Sequence, residues 1–146
     1  ICRTKEITQI REWESPAFDM NIWVKRVREV ILKVKPPKNN YSFDFQIAGL
    51  SWPDAHFDLI FSDALSDDAI QAMNERVGNF VNGWNEQEEQ NGQEDFIHNM
   101  LDMRRTDEKS CEVLIDFGSA SELSLLKFLD FLQEIGGNKL ITVVLS

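Results

Sequence analysis

The sequence offers few side chains that could act as the base in nucleophilic chemistry. A cysteine or serine nucleophile requires a base, and only two histidines, His56 and His98, are present. Cys111 with His98 is one conceivable pair, but Cys111 begins a predicted strand, where a small buried thiol is an ordinary core residue. We therefore predict no catalytic residue and no enzymatic activity, and keep a small hydrolase as the lowest-ranked alternative.

Metal and phosphate sites are also weakly indicated. His56 lies between Asp54 and Asp58, and imidazole with carboxylates can bind a metal, but no calcium loop or H-x-x-x-H helix supplies a geometry. Asp116-Phe117-Gly118 spells the metal-binding triplet of protein kinases, yet the other kinase motifs are missing. No glycine-rich phosphate loop is present. We predict no metal site and no cofactor, with adventitious cation binding by the acidic loop.

The distribution of charge is the most informative feature. The net charge is −10, which argues against nucleic acid and anionic membrane as partners because each phosphate contact needs a cation. Residues 54–95 hold eleven acidic residues and one basic residue, Arg76. The net charge of this block is therefore equal to the net charge of the whole chain. A solvated acidic face is one explanation, and a surface for a basic protein is the other.

We take the second explanation as the hypothesis, because clustered carboxylates accelerate encounter with a basic partner. Trp52 is included as a candidate aromatic anchor, although both Leu50 and Trp52 are expected more often to fold back on the core. The candidate partner-binding residues are Trp52, Asp54, Asp67, Asp68, Glu75, Glu86, Glu88, Glu89, Glu94 and Asp95.

The periodicity of apolar residues predicts the elements of the first half. Ser15-Pro16 opens a helix that Pro36-Pro37 ends. Alternating residues at 41–48 and 57–61 predict an antiparallel hairpin. Ser66 caps a second helix with an apolar stripe from Ile70 to Trp84, and a frayed helix end with an exposed loop follows Trp84.

The second half predicts another hairpin, a helix and a final strand. Residues 96–104 and 111–117 form the hairpin, and Ser119-Ala120-Ser121-Glu122 has the capping-box spacing that opens a leucine-rich helix. Gly136-Gly137 ends it. The run 140–145 is typical of a buried strand, and strand, helix and strand should form a right-handed crossover with parallel strands.

These elements predict a single α/β (α+β) domain over residues 1–146: a two-layer sandwich with a mixed five-stranded sheet and about three helices. Residues 1–14 are a candidate for a loosely attached N-terminal segment. No apolar run is long enough to span a membrane, so a cytoplasmic protein is the default expectation. Cys2 and Cys111 fit free thiols best, with a single bridge between them as the alternative in an exported protein.

Three features together resemble the small acidic immunity proteins of bacterial contact-dependent and polymorphic toxin systems. They are the acidic stretch Asp54 to Asp95, the run Val113 to Ala120 that leads into a leucine-rich helix, and an α/β body without catalytic residues. The resemblance implies a protein that neutralises a cognate toxin, often a nuclease, by one-to-one binding. The alternative is a self-associating structural domain, a homodimer through the helix 121–135.

Overall fold

A computed structural model describes residues 41–146 as one mixed sheet with two helices. The first predicted helix and the N-terminal segment 1–14 lie outside the described residues. The elements are β1 (Asp44–Ile47), a 3-10 turn (Trp52–Asp54), β2 (Ala55–Phe61), α1 (Asp67–Gln90), β3 (Asn99–Asp107), β4 (Ser110–Asp116), α2 (Glu122–Gly136) and β5 (Leu140–Leu145).

The five strands lie in the order β1-β5-β2-β4-β3. Only β1 and β5 are parallel, and the other pairs are antiparallel, which confirms the mixed five-stranded sheet. The predicted hairpin of β1 with β2 is wrong, because β5 lies between them. Alternation shows that a strand has two unlike faces but does not identify its neighbour, and the apolar β5 takes the inner position.

The second predicted hairpin is confirmed, since β3 and β4 pair antiparallel around a tight turn. The crossover from β4 through α2 to β5 joins two strands that run parallel, as expected. They are not adjacent, however, because β2 pairs with both of them in the antiparallel sense.

Helix α1 begins as predicted, with the Ser66 hydroxyl accepting a hydrogen bond from the backbone N–H of Ala69 at 3.0 Å. Its end differs from the prediction: the helix continues past Trp84 to Gln90. Helix α2 begins at Glu122 with Ser121 as its N-cap, so the predicted capping box at Ser119 is wrong. The predicted end at Gly136-Gly137 is confirmed, with Gly137 at φ 54°.

The core lies between the two helices and one face of the sheet. Phe57 of β2 contacts Phe128 of α2 with ring centroids 4.8 Å apart, and Phe80 of α1 contacts Phe128 in turn. The expectation that Leu50 and Trp52 fold back on the core is confirmed, because they are only 2% and 8% exposed. Neither α1 nor α2 combines the length and the apolar character that a membrane-spanning helix requires.

Candidate functional site

Four acidic segments lie together where β2 begins and β4 ends. We call this region the acidic end, and its members are Asp54, Glu86, Glu88, Glu89, Glu94, Asp95 and Asp116. The backbone N–H of Phe117 donates to the carbonyl of Trp52 at 3.0 Å, which holds the turn that carries Asp54 beside the end of β4. The charges of Asp54 and Asp116 are close enough to interact.

The loop after α1 is tied to the same place by side-chain hydrogen bonds. Ser119 donates to the carbonyl of Glu94 at 2.7 Å and accepts from the N–H of Phe96 at 3.2 Å. These bonds explain why Ser119 does not cap α2. The hydroxyl fixes the acidic loop against the β4–α2 turn instead.

Two residues of the last turns of α1 complete the attachment. Trp84 donates its indole N–H to the carbonyl of Asp95 at 2.6 Å. The Asn85 amide donates to the carbonyl of Ile97 at 2.8 Å and accepts from the N–H of the same residue at 2.9 Å. Ile97 itself is buried. The acidic stretch therefore folds back over the end of the helix, which explains why α1 extends further than its apolar stripe.

The acidic end is electrostatically unfavourable for the fold. Burial, and then the charge of Asp95, raise the pKa of Glu88. Burial also raises the pKa of Asp116. The hydrogen bond from the Gly118 N–H and the charge of His98 act to lower this pKa, and the charge of Asp54 acts to raise it. Acids in the last turn of α1 oppose the negative end of its dipole, and that turn holds no basic residue. A positive partner would relieve this repulsion.

The segments that form the acidic end have no basic side chain of their own to neutralise it. Residues 50–58, 84–98 and 114–122 contain no lysine or arginine. Cations elsewhere in the described part pair locally, such as Arg105 with Asp67 at 2.7 Å and Lys139 with Asp63 at 3.3 Å. The opposite end of the sheet is therefore mixed in charge.

The structure does not gather all ten predicted residues on one surface. Asp67 and Asp68 begin α1, about 36 Å along a 24-residue helix from its end, and Glu75 lies between. Trp52 is not on the surface: it stacks on Phe117, and its indole N–H donates to the carbonyl of Ala120. The segments that carry the other six acidic residues are joined at the acidic end by backbone and side-chain hydrogen bonds, and partner binding by these six residues stays a prediction: Asp54, Glu86, Glu88, Glu89, Glu94 and Asp95.

Sequence reasoning missed Asp116, which it discussed only as the first residue of the Asp116-Phe117-Gly118 triplet. It also missed a second polar cluster, the His56 network, formed by His56, Asp58, Glu112 and Arg104. Glu112 is cross-strand partner to Asp58, so the cluster exists only once β2 and β4 are paired. The spacing of His56 and Asp58 on β2 is the part of this cluster that the sequence shows directly.

The His56 network is held by short polar contacts on the sheet face opposite Phe57. His56 Nε2 lies 2.7 Å from Glu112 Oε1 and 3.6 Å from Asp58 Oδ1. The guanidinium of Arg104 binds the other oxygen, Glu112 Oε2. Hydrogen bonds from Arg104 and then from His56 lower the pKa of Glu112. His56, Asp58 and Glu112 are arranged so that they could hold a metal ion.

The conceivable nucleophile–base pair of Cys111 and His98 is not formed. Cys111 is a buried free thiol, and burial above all raises its pKa to about 11, so it is not a thiolate at neutral pH. His98 pairs with Asp116 at the other end of β4, about 17 Å along the strand.

Comparisons with family models, with curated proteins and with solved structures find no match to this chain.

Proposed function

We propose that this protein is a non-enzymatic binding module that neutralises a basic protein partner through its acidic end. The observation that carries the proposal is the convergence of separate acidic segments that, among the described residues 41–146, contain no lysine or arginine of their own. Carboxylates in such a place form charge-assisted hydrogen bonds with arginines that otherwise bind phosphate. A nuclease toxin is a partner with this chemistry, and the protein would then act as its immunity protein.

The cost of the arrangement supports a binding role. Like charges at a helix C-terminus destabilise the fold, and residues that oppose local stability are concentrated at functional sites. The acidic end also presents one sign of charge, which steers a positive partner and raises its association rate. A cytoplasmic location belongs to the same proposal, because there an immunity protein would protect the cell's own nucleic acid.

Self-association through the helix 121–135 has less support from the described residues. Its leucines and phenylalanines largely face the core, including Leu125, Phe128 and Leu132, each at most 1% exposed. Leu123, at 49% exposed, is the large apolar side chain that α2 leaves to solvent. One exposed leucine is ordinary on a soluble surface.

A pull-down from the native organism with matched charge-reversal baits tests the proposal. One bait carries Glu86→Lys, Glu88→Lys and Glu89→Lys at the acidic end. The control carries Glu75→Lys, Glu108→Lys and Glu134→Lys, which are exposed positions elsewhere with the same change in net charge.

We expect one basic protein to bind the wild type and the control bait but not the acidic-end bait. A specific partner that binds all three baits equally would refute the acidic end as its site. A partner that is itself acidic would refute the electrostatic basis of the proposal.

A further inference from the structure

A second site, independent of the proposed binding function, lies in the His56 network. We propose that His56 Nε2, Asp58 Oδ1 and Glu112 Oε1 bind a divalent transition-metal ion of the zinc class. The three ligand atoms all lie within 4.8 Å of one another. They come from adjacent paired strands, so the sheet backbone fixes their separation.

The spacing of the ligands follows from strand geometry. Residues i and i+2 of a strand point to the same face, which places His56 and Asp58 side by side on β2. Glu112 lies directly across from Asp58 on β4. Two carboxylates directly opposite each other destabilise an antiparallel pair, and a cation between them removes that repulsion.

Two of the three ligand distances suit a tetrahedral ion after a small adjustment, and the Asp58 to Glu112 separation lies within 4.8 Å. Bonds of about 2.0–2.1 Å to zinc place neighbouring ligand atoms about 3.3 Å apart. The Asp58 to His56 separation of 3.6 Å is already close to this value. The His56 to Glu112 contact of 2.7 Å has to open by about 0.6 Å, when the ion replaces the proton between nitrogen and oxygen.

The outer partners of the ligands fit the same arrangement. A metal-binding histidine usually donates the N–H of its other ring nitrogen to an oxygen, and ligating carboxylates are themselves hydrogen-bonded. His56 Nδ1 lies 3.4 Å from the hydroxyl of Ser146. Arg104 binds Glu112 Oε2 and leaves Oε1 directed at His56. The Glu112 side chain is nine-tenths buried, so its carboxylate is held in this orientation.

The ligand set also discriminates between ions. Calcium and magnesium prefer sites made of oxygen atoms, whereas imidazole with carboxylates suits zinc, cobalt and related ions. Three protein ligands leave the fourth tetrahedral position for water. Leu114 and Val144, the cross-strand partners of His56 and Asp58, are half-buried on the same face and flank the site with apolar surface.

Calorimetric titration of the full chain with Zn²⁺ tests the proposal. The variants are Asp58→Asn and His56→Gln. The matched control is His98→Gln, which disrupts the second histidine–carboxylate pair, His98 with Asp116 at 3.8 Å. Cys2→Ser is titrated as well, because a thiol is a strong zinc ligand. Circular dichroism and urea unfolding verify that each variant is folded.

We expect one Zn²⁺ per chain in the wild type, in His98→Gln and in Cys2→Ser, with excess Mg²⁺ and Ca²⁺ unable to displace it. Asp58→Asn and His56→Gln should weaken binding about tenfold or more. Co²⁺ in the wild type should give the intense visible absorption of a tetrahedral site. Asp58→Asn keeps the size of a partly exposed side chain and decides the question if His56→Gln does not fold.

Absence of saturable Zn²⁺ binding, or equal affinity in the wild type and in Asp58→Asn, would overturn the proposal. Loss of binding in His98→Gln or Cys2→Ser would assign the metal to another place and overturn it equally. None of these readouts involves the basic partner, so failure of one proposal leaves the other standing.

Discussion

The indole N–H of Trp84 donates to the carbonyl oxygen of Asp95 at 2.6 Å, and this bond joins the end of α1 to the acidic loop that follows it. The two residues are eleven positions apart. Together with the Asn85 and Ile97 pair, the bond converts a polar stretch into part of a defined surface.

Trp84→Phe should loosen the acidic loop while keeping an aromatic ring against the core. The carbonyl of Asp95 loses its donor, and loss of one such hydrogen bond costs about 0.5–1.5 kcal/mol. Urea unfolding measures the change in stability, and hydrogen exchange should show lower protection of the amide of Ile97. Unchanged protection there would show that the bond does not hold the loop.

Glu88→Gln should stabilise the protein at neutral pH by about 0.3–1 kcal/mol, the range for a charge at a helix end. Burial and Asp95 raise the pKa of Glu88 in the folded state, so the folded protein holds this proton more tightly than the unfolded chain does. The ionised carboxylate therefore opposes folding above the folded pKa, and its effect disappears below the unfolded pKa.

The stability difference between Glu88→Gln and the wild type should depend on pH. The advantage of Glu88→Gln over the wild type should be present at pH 7.5, shrink as the pH falls through the raised pKa of Glu88, and be absent below about pH 4, near the usual glutamate pKa. Urea unfolding at both pH values measures it. Glu75→Gln, at an exposed position in the middle of α1, is the control. An advantage for Glu75→Gln of the same size would remove the special role of the helix end.

The turn between β4 and α2 depends on a glycine beside a histidine. Gly118 has φ 53°, and a Cβ added there would overlap the ring of His98. Gly118→Ala should destabilise by about 1–2 kcal/mol, the cost of the left-handed conformation for other residues. Gly78→Ala, in the middle of α1 with open space around it, should instead stabilise by about 0.5–1 kcal/mol. Thermal unfolding compares the two, and the same sign for both would contradict the argument.

Local patterns predicted most of the elements, because caps and periodicity act within a few residues. The Ser66 cap, the Gly137 turn and the β3–β4 hairpin are of this kind. The neighbours of each strand were harder to predict from the sequence, because the insertion of β5 between β1 and β2 depends on the competition of all strands for central positions. The long range of these contacts also hid the pairing of Asp58 with Glu112.

The candidate site was likewise predicted only in part. Sequence reasoning located the charge excess between Asp54 and Asp95 and proposed a binding surface from it, but could not decide whether these residues form one surface. A helix of 24 residues separates its two halves, so Asp67 and Asp68 lie far from Glu86 to Asp95. Asp116 joined the acidic end through β4, from outside the block that the charge count had identified.

The association rate with the basic partner provides the last prediction. Steered encounter depends on charge and is screened within about 8–10 Å at physiological salt. Stopped-flow measurements from low to high salt should therefore show an association rate that falls steeply, with a smaller change in dissociation. Glu86→Lys, Glu88→Lys and Glu89→Lys together should lower the rate at low salt at least tenfold and flatten the salt dependence. The triple control at Glu75, Glu108 and Glu134 changes the net charge equally but leaves the acidic end intact, so it should retain the faster association. Rates that follow net charge alone, identical in both triple variants, would show that the acidic end has no privileged role.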